Sequence, residues 1–226
     1  FLPGVNLNNT LQFTASLDDI SDYGEVLVSA VPSQVVRVVL DKFPSGWKKP
    51  VVSVSKGIEN NTGMRMSQVI SETLFLSAEE IVVLSGPSHA EEVSRKYPTT
   101  VVAACAEINH SRDVQKLFSN DYFRVYSGND VIGVEIGGAA KNIIALAAGI
   151  CHGLGYGDNT MAALVTRGLE EIIRLGTTLG AERATFSGLS GIGDLIVTAF
   201  SPHSRNRQVG ERIGKGEKLS DILAGM

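Results

Sequence analysis

The sequence predicts an α/β fold: a doubly wound, mostly parallel sheet over residues 1–130, followed by an all-α domain over residues 131–226. Two observations support this fold class. Up to about residue 127, short β-branched runs alternate with amphipathic helical segments, which is the pattern of parallel strands joined by helices. After Asn129 the strand pattern stops, and apolar helical segments rich in glycine follow. The change near residue 130 therefore predicts a domain boundary.

Five apolar runs predict the strands of the sheet. They are Val26–Val31, Val51–Ser55, Ile81–Leu84, Thr99–Ala104 and Phe123–Tyr126. Each is short and rich in β-branched residues, as buried strands are. Between the strands the spacing predicts four helices. The first begins at Pro32 and has Val35, Val36, Val39 and Leu40 on one face. The second extends over Thr62–Leu74, a short third helix ends at Lys96, and the fourth extends over Ser111–Phe118.

The second domain reads as helices separated by glycine turns. The apolar segment Gly133–Gly149 predicts its first helix. A long amphipathic helix is expected over Met161–Leu179, with Asp158, Asn159 or Thr160 as its cap and Gly180 at its end. Shorter helices follow, the last over Leu219–Met226.

Composition excludes several functional classes. Hydrophobic residues make up 43% and charged residues 19% of the chain, and the net charge is −4, so no nucleic acid or basic membrane face is expected. No membrane span is expected either, because Glu135 and Lys141 interrupt the most apolar segment. Cys105 and Cys151 have no C-x-x-C or metal spacing, which favours a reducing cytoplasm. The four histidines lack ligand spacing, and no metal is assigned.

Lys141 lies in the middle of the almost wholly apolar segment Gly133–Gly149. Lysine is rarely buried without a partner. Because helical side chains lean toward the N-terminus, we expect its amine to lie over Gly137 and Gly138, one turn back. The two glycines predict an open notch beside the ammonium group, into which a small ligand reaches. The alternative is a lysine that snorkels from a core helix to solvent.

Three predicted strand ends carry residues suited to a ligand. They are Ala30–Ser33, Ser55–Gly57 with Lys56, and Ser85–Ala90. Ligands of open α/β sheets bind at the carboxyl ends of the strands. Taken singly, each segment is better explained as an ordinary turn, since glycine, proline and serine dominate turns. Three of them on successive strands favour a rim that faces a cofactor.

Two helix starts in the second domain carry charged groups. Asp194 follows a glycine turn, where it is either a functional carboxylate or simply an N-cap. Ser204 precedes Arg205, Asn206 and Arg207 at another helix start. Free amides beside an arginine form an anion site, and the alternative is a solvated basic turn.

Five segments together make the chain resemble NAD(P)-dependent glycerol-3-phosphate dehydrogenase of the bacterial type. They are Val54–Glu59, Ser85–Ser88, Gly133–Asn142, Gly193–Thr198 and Ser201–Arg207. The segments occur in the family's order and extend over essentially the whole chain; the lysine helix and the Ser-Arg-Asn turn are the most specific. The resemblance implies a Rossmann-like dinucleotide-binding domain over residues 1–130 and a substrate and catalytic domain over residues 131–226.

The resemblance also implies an enzyme and its site. The reaction is the reversible reduction of dihydroxyacetone phosphate to sn-glycerol 3-phosphate by NADH or NADPH, which supplies phospholipid synthesis. Lys141 is implied as the acid/base group, with Lys56 and Asp194 as further catalytic residues. The substrate-binding residues implied are Lys56, Gly86, Ser88, Lys141, Asp194, Ser204, Arg205 and Asn206. The cofactor, NAD or NADP, contacts Lys56, Ala90 and Arg205. The resemblance implies that the binding partner is this small-molecule substrate. It also implies that the enzyme is cytoplasmic and forms a homodimer.

One departure from the family concerns the phosphate loop. The family begins with a strand and a G-x-G-x-x-G motif, and this sequence has no such motif after any predicted strand. Phe1–Gly4 resembles a family segment that lies after the first βαβ unit. We therefore expect an internal piece of a longer enzyme, without the glycine-rich loop and the C-terminal end.

Two other functions stay open at this point. Another lysine-dependent NAD(P) dehydrogenase acting on a hydroxyacid has the same architecture but does not need Ser204, Arg205 and Asn206. A non-catalytic nucleotide-binding module is the second alternative. The presence of Lys56 and Lys141 together with Asp194 and Arg205 argues against it.

Overall fold

A computed structural model describes residues 4–5 and 7–225. The chain divides into two compact units, the first ending at Val131 and the second beginning at Ile132. Residues 1–3 and Met226 lie outside the described residues, and with them most of the Phe1–Gly4 segment and the predicted end of the last helix.

The first unit is built on a sheet whose described strands number five. They are β1 (Leu27–Ser29), β2 (Val51–Ser53), β3 (Ile81–Ser85), β4 (Thr99–Ala104) and β5 (Phe123–Gly128). The strands lie in sequence order, with β1–β2, β2–β3 and β4–β5 parallel. The predicted, mostly parallel α/β sheet is confirmed.

The pairing of β3 with β4 is antiparallel, which the sequence pattern did not predict. Parallel neighbours require a crossover connection, usually a full helix. Here the connection holds only the four-residue helix α4 (Ala90–Val93), and Lys96 at φ +62° lies in the turn that follows. The chain therefore reverses, and β4 runs back beside β3.

The other helices of the first unit are α1 (Leu17–Tyr23), α2 (Val36–Leu40), α3 (Met66–Leu74) and α5 (Ile108–Phe118). The predicted start of α3 at Thr62 is wrong by four residues. Residues 58–65 instead form a turn closed by a bridge between Ile58 and Arg65, with Gly63 at φ +70°. Val35 is 40% exposed rather than on the buried face, because Ser33–Val35 is a 3-10 turn before α2.

Alternating residues of the strands pack on opposite faces of the sheet. Val51 and Ile81 belong to the core formed with α2 and α3. Their neighbours Val52 and Val82 belong to a second core, formed with Val114 of α5. Helices cover both faces, as a doubly wound sheet requires, and the strand ends are left to carry polar turns.

The second unit is helical throughout its described residues. Its helices are α6 (Val131–Gly153), α7 (Asp158–Thr178), α8 (Asp194–Phe200), α9 (Arg205–Gly214) and α10 (Leu219–Ala224). A 3-10 turn (Arg183–Ser187) and a π-helical segment (Leu189–Gly193) join α7 to α8. The expected side-chain cap of α7 is absent from the described residues: its N-cap is Gly157, without a side-chain hydrogen bond.

By length and composition, α6 is the one helix among the described residues that is apolar enough to span a membrane. No membrane span was expected from the sequence, and α6 passes this test by length and composition only. Its most apolar stretch has a mean hydropathy of 1.5, and 56% of that stretch is buried inside the protein. That burial is what a core helix shows, and α6 carries the buried residues Glu135 and Lys141.

Candidate active site

Two strand-end turns of the first unit meet at the backbone carbonyl of Gly86. Lys56 Nζ donates a hydrogen bond to this oxygen at 2.9 Å, and Ser88 Oγ donates another at 3.1 Å. Gly86 has φ +141°, and a Cβ there would lie 3.0 Å from the Cα of Val101. A glycine is therefore needed both for the backbone conformation and for the approach of β4. The structure brings Lys56, Gly86 and Ser88 together.

A cavity of about 270 Å³ lies beside this turn, entirely within the first unit. Lys56, Ser88 and Ala90 line it, and Val54 and Phe123 are among its apolar walls. An apolar wall with a few polar groups at one side is the usual form of a small-molecule site. Three of the residues that the resemblance implies for cofactor and substrate thus share one cavity.

Lys141 and Asp194 form a buried ion pair in the second unit. Lys141 Nζ donates to Asp194 Oδ1 at 2.5 Å, and the two side chains are 10% and 2% exposed. Lys141 therefore does not snorkel to solvent. A carboxylate in contact stabilises the charged form of the amine, and burial strengthens that interaction.

Asp194 is the first residue of α8, and its side chain is not the helix cap. The N-cap position belongs to Gly193, which makes no side-chain hydrogen bond. Since the carboxylate contacts Lys141 instead, the interpretation of Asp194 as a simple N-cap is wrong.

The expected notch beside Lys141 is partly filled by the chain itself. Gly137 is buried, and a Cβ at this position would overlap the carbonyl oxygen of Ser190. The missing side chain of Gly137 therefore admits the backbone of the π-helical segment, and a ligand does not enter there. The prediction of an open notch at Gly137 was wrong, because sequence periodicity does not show which segment packs on a glycine.

Ser204 caps α9, as the sequence predicts. Its Oγ accepts a hydrogen bond from the backbone N–H of Arg207 at 3.3 Å. Arg205 and Asn206 follow it as exposed residues, and neither side chain has a hydrogen-bond partner within the part of the chain that the structure describes. A guanidinium thus stands at the N-terminus of a ten-residue helix, where the free amides and helix dipole favour an anion.

Thr198 forms a hydrogen bond with Asp194, and the sequence analysis did not select it as a candidate site residue. Its Oγ1 donates to the backbone carbonyl of Asp194 at 2.6 Å, and the residue is 5% exposed. The signal was available: Thr198 lies four residues after Asp194, the spacing at which a threonine hydroxyl meets the backbone of its own helix.

Among the described residues, no group of three or more His, Cys, Asp or Glu side chains is placed to hold a metal ion. Both cysteines are free; Cys105 is buried, and burial raises the pKa of its thiol.

A mostly parallel sheet unit followed by a helical unit with a buried lysine is the architecture of two-domain, dinucleotide-dependent dehydrogenases. Comparison with known proteins supports the same class of protein. The family described as NAD-dependent glycerol-3-phosphate dehydrogenase matches the chain twice, its N-terminus over residues 1–111 and its C-terminus over residues 130–226. The chain belongs to the NAD-dependent glycerol-3-phosphate dehydrogenase family.

Individual relatives show the extent of the match. The chain is 53% identical to glycerol-3-phosphate dehydrogenase, NAD(P)+, of Lysinibacillus sphaericus, covering 99% of this chain and 67% of that protein. It is 52% identical to the protein of that name from Chlorobium chlorochromatii, covering 100% and 69%. The crystal structure of glycerol-3-phosphate dehydrogenase from Coxiella burnetii matches with a TM-score of 0.92 at 33% identity, covering 100% of this chain and 69% of that one.

Proposed function

We propose that this protein is an NAD(P)-dependent glycerol-3-phosphate dehydrogenase, which reversibly reduces dihydroxyacetone phosphate to sn-glycerol 3-phosphate. The curated relatives carry this name with NAD(P)+ as cofactor. The observation that carries the proposal is the buried contact between Lys141 and Asp194. An ammonium group held in a water-poor site is suited to an oxygen that gains negative charge during reduction.

The cofactor supplies the hydride, and the residues of this chain bind and orient it. We assign Lys56 and Ala90 to the nicotinamide end, since both line the 270 Å³ cavity with its apolar walls. Arg205, exposed at the start of α9, is assigned a second cofactor contact. The cavity fits a flat, mostly apolar ring with one polar edge. NAD and NADP both have this ring, and these residues do not distinguish them.

Lys141 acts as the general acid in reduction. The Lys141 ammonium donates a proton to the carbonyl oxygen of the substrate, whose carbonyl carbon would receive the hydride that a bound dinucleotide would supply. In the reverse direction the neutral amine removes the hydroxyl proton. Asp194 holds the amine in place and stabilises the charged form between turnovers.

The remaining residues orient the substrate. Ser204, Arg205 and Asn206 bind the phosphate at the N-terminus of α9, where Ser204 already fixes the turn. Lys56, Gly86 and Ser88 are assigned to the reacting end, because they form one hydrogen-bonded group. Phosphate binding far from the carbonyl orients the reacting atoms, which lowers the barrier as well as KM.

Lys141→Met tests the proposal in the full-length protein. The flexible apolar chain of methionine keeps the volume but removes the proton donor, so kcat should fall by at least about 100-fold, the scale of a positioned acid/base group. Asp194→Asn is the matched control for loss of the ion pair with the amine retained, and we expect a smaller loss.

Transfer of deuteride from labelled NADH or NADPH to dihydroxyacetone phosphate is the direct measurement. Near-normal kcat in Lys141→Met would contradict the acid/base role. Absence of transfer by the unmodified protein would contradict the proposed activity itself.

We also propose a cytoplasmic setting, a homodimer, and a role in supplying glycerol phosphate for phospholipid synthesis. Two free cysteines support the reducing compartment. Sedimentation equilibrium measures the oligomeric state, and a mass of one chain across the concentration range would contradict the homodimer.

A further inference from the structure

Three glycines of α6, Gly137, Gly149 and Gly153, contact backbone rather than side chains, and they lie on both sides of Lys141. At Gly137, one turn before the lysine, an added Cβ would overlap the Ser190 carbonyl oxygen. At Gly149, two turns after it, an added Cβ would overlap the Arg207 carbonyl oxygen and lie 2.8 Å from the Glu211 nitrogen. Backbone cannot rotate away as a side chain does, so each contact sets the distance of a neighbouring element from α6.

The contact at Gly137 involves the segment that immediately precedes Asp194 in the chain. Ser190 is 1% exposed and belongs to the π-helical segment that runs directly into α8. Gly191, next to it, would collide with the Phe186 backbone if it had a Cβ, and Phe186 is fully buried. The segment is therefore held from both sides, four residues before the carboxylate that contacts Lys141.

The contact at Gly149 leads to the start of α9. Gly149 and Gly153 on α6 face Gly210 and Gly214 on α9, and each pair has a spacing of four residues. A Cβ at any of these four positions would overlap backbone of the other helix. Glycines at this spacing let two helices approach to backbone contact. The depth and register of α9, which begins with Arg205, are thus set by α6.

We propose that Gly137 and Gly149 are positioning residues, which hold the acid/base pair and the phosphate-binding turn at fixed distances along one helix. The inference rests on the proposed function, because it takes Asp194 and Arg205 as members of the site. Gly137 acts through Ser190 on Asp194, and Gly149 acts through the α9 backbone on Ser204 and Arg205. Neither glycine touches the substrate.

Two single variants separate the two effects. Gly137→Ala should lower kcat by at least about tenfold with dihydroxyacetone phosphate and with unphosphorylated dihydroxyacetone alike, since small displacements of reacting groups cost 10- to 100-fold. It should also move the pH profile of kcat, because the contact of Lys141 with its carboxylate changes. Gly149→Ala should raise KM for the phosphorylated substrate by at least about tenfold and change KM for the unphosphorylated one far less.

Gly168→Ala is the matched control. It is the same substitution within a long helix, but its Cβ would meet the Ile144 side chain, with Cδ1 at 2.6 Å and Cγ1 at 2.9 Å, instead of backbone. We expect both substrates to change less than about twofold, since such a side chain can move aside. Alanine is the better helix former at all three positions, so propensity does not explain a loss.

Folding of each variant is checked by circular dichroism and thermal unfolding. Where Gly137→Ala does not fold, Thr198→Val removes only the 2.6 Å hydrogen bond to the Asp194 carbonyl and should lower kcat on both substrates. Where Gly149→Ala does not fold, Gly153→Ala changes the last residue of α6 and should raise KM selectively.

The inference is overturned if the variants on the two sides of Lys141 affect both substrates in the same way, or if they resemble Gly168→Ala. Failure of the proposed function looks different. In that case the unmodified protein itself transfers no deuteride to dihydroxyacetone phosphate, whereas failure of this inference leaves that transfer intact.

Discussion

Lys141 and Asp194 are both buried, and the charge of each side chain stabilises the opposite charge of the other. Removing one partner of a buried pair is costly, because the remaining ion is left without compensation. Replacing Lys141 by methionine removes the ammonium group that the Asp194 side chain, 2% exposed, contacts.

Arg205 offers a test at the same scale. Its planar fork suits a phosphate, so Arg205→Lys should not behave as a conservative change. Loss of charge-assisted hydrogen bonds worth roughly 1.5–3 kcal/mol each predicts a reduction in kcat/KM of at least about 10- to 100-fold for Arg205→Ala. The measurement compares dihydroxyacetone phosphate with unphosphorylated dihydroxyacetone, and kcat/KM should fall far more for the phosphorylated substrate. Equal losses on both would assign Arg205 to the cofactor or to structure.

The turn formed by residues 58–65, which precedes α3, is connected to α2 by an ion pair. Arg37 on α2 donates to both carboxylate oxygens of Glu59, at 2.9 and 3.0 Å. The hydrogen bond from Arg37, followed by one from Thr62, holds the pKa of Glu59 below its usual value of about 4.5. This turn directly follows Lys56, so its order contributes to the placement of the cavity wall.

The lowered pKa of Glu59 predicts a pH-dependent contribution to stability. A carboxyl with a depressed folded-state pKa stabilises the fold above the unfolded value, and this contribution is lost as the pH falls through the folded value. The difference in unfolding free energy between the wild type and Glu59→Gln should thus be full at pH 7 and shrink below about pH 4.5. Urea unfolding from pH 7 to pH 3 measures it.

Glu25→Gln is the control for that series. Glu25 is exposed and has no hydrogen-bond partner among the described residues, so its substitution should leave the pH dependence unchanged. A constant difference between wild type and Glu59→Gln across the range would show that the ion pair is not what stabilises the turn.

At the scale of the whole molecule, each unit has its own chemistry: a sheet with a cavity at its strand ends, and a helical unit built along α6. The chain spans about two thirds of the length of the curated relatives it matches.

What the sequence determined by itself is local. Alternation of β-branched runs with helical periodicity predicts the strands and the change to helices, because each pattern arises from neighbours within a few residues. The Ser204 cap and the isolation of Lys141 in an apolar helix are local in the same way. The tertiary structure decided what lies between distant segments. Asp194 meets Lys141 across 53 residues, and β4 reverses beside β3. The Ser190 backbone fills the space at Gly137. Which segment packs against a glycine depends on close packing in the folded core, and the neighbouring residues in the sequence do not determine it.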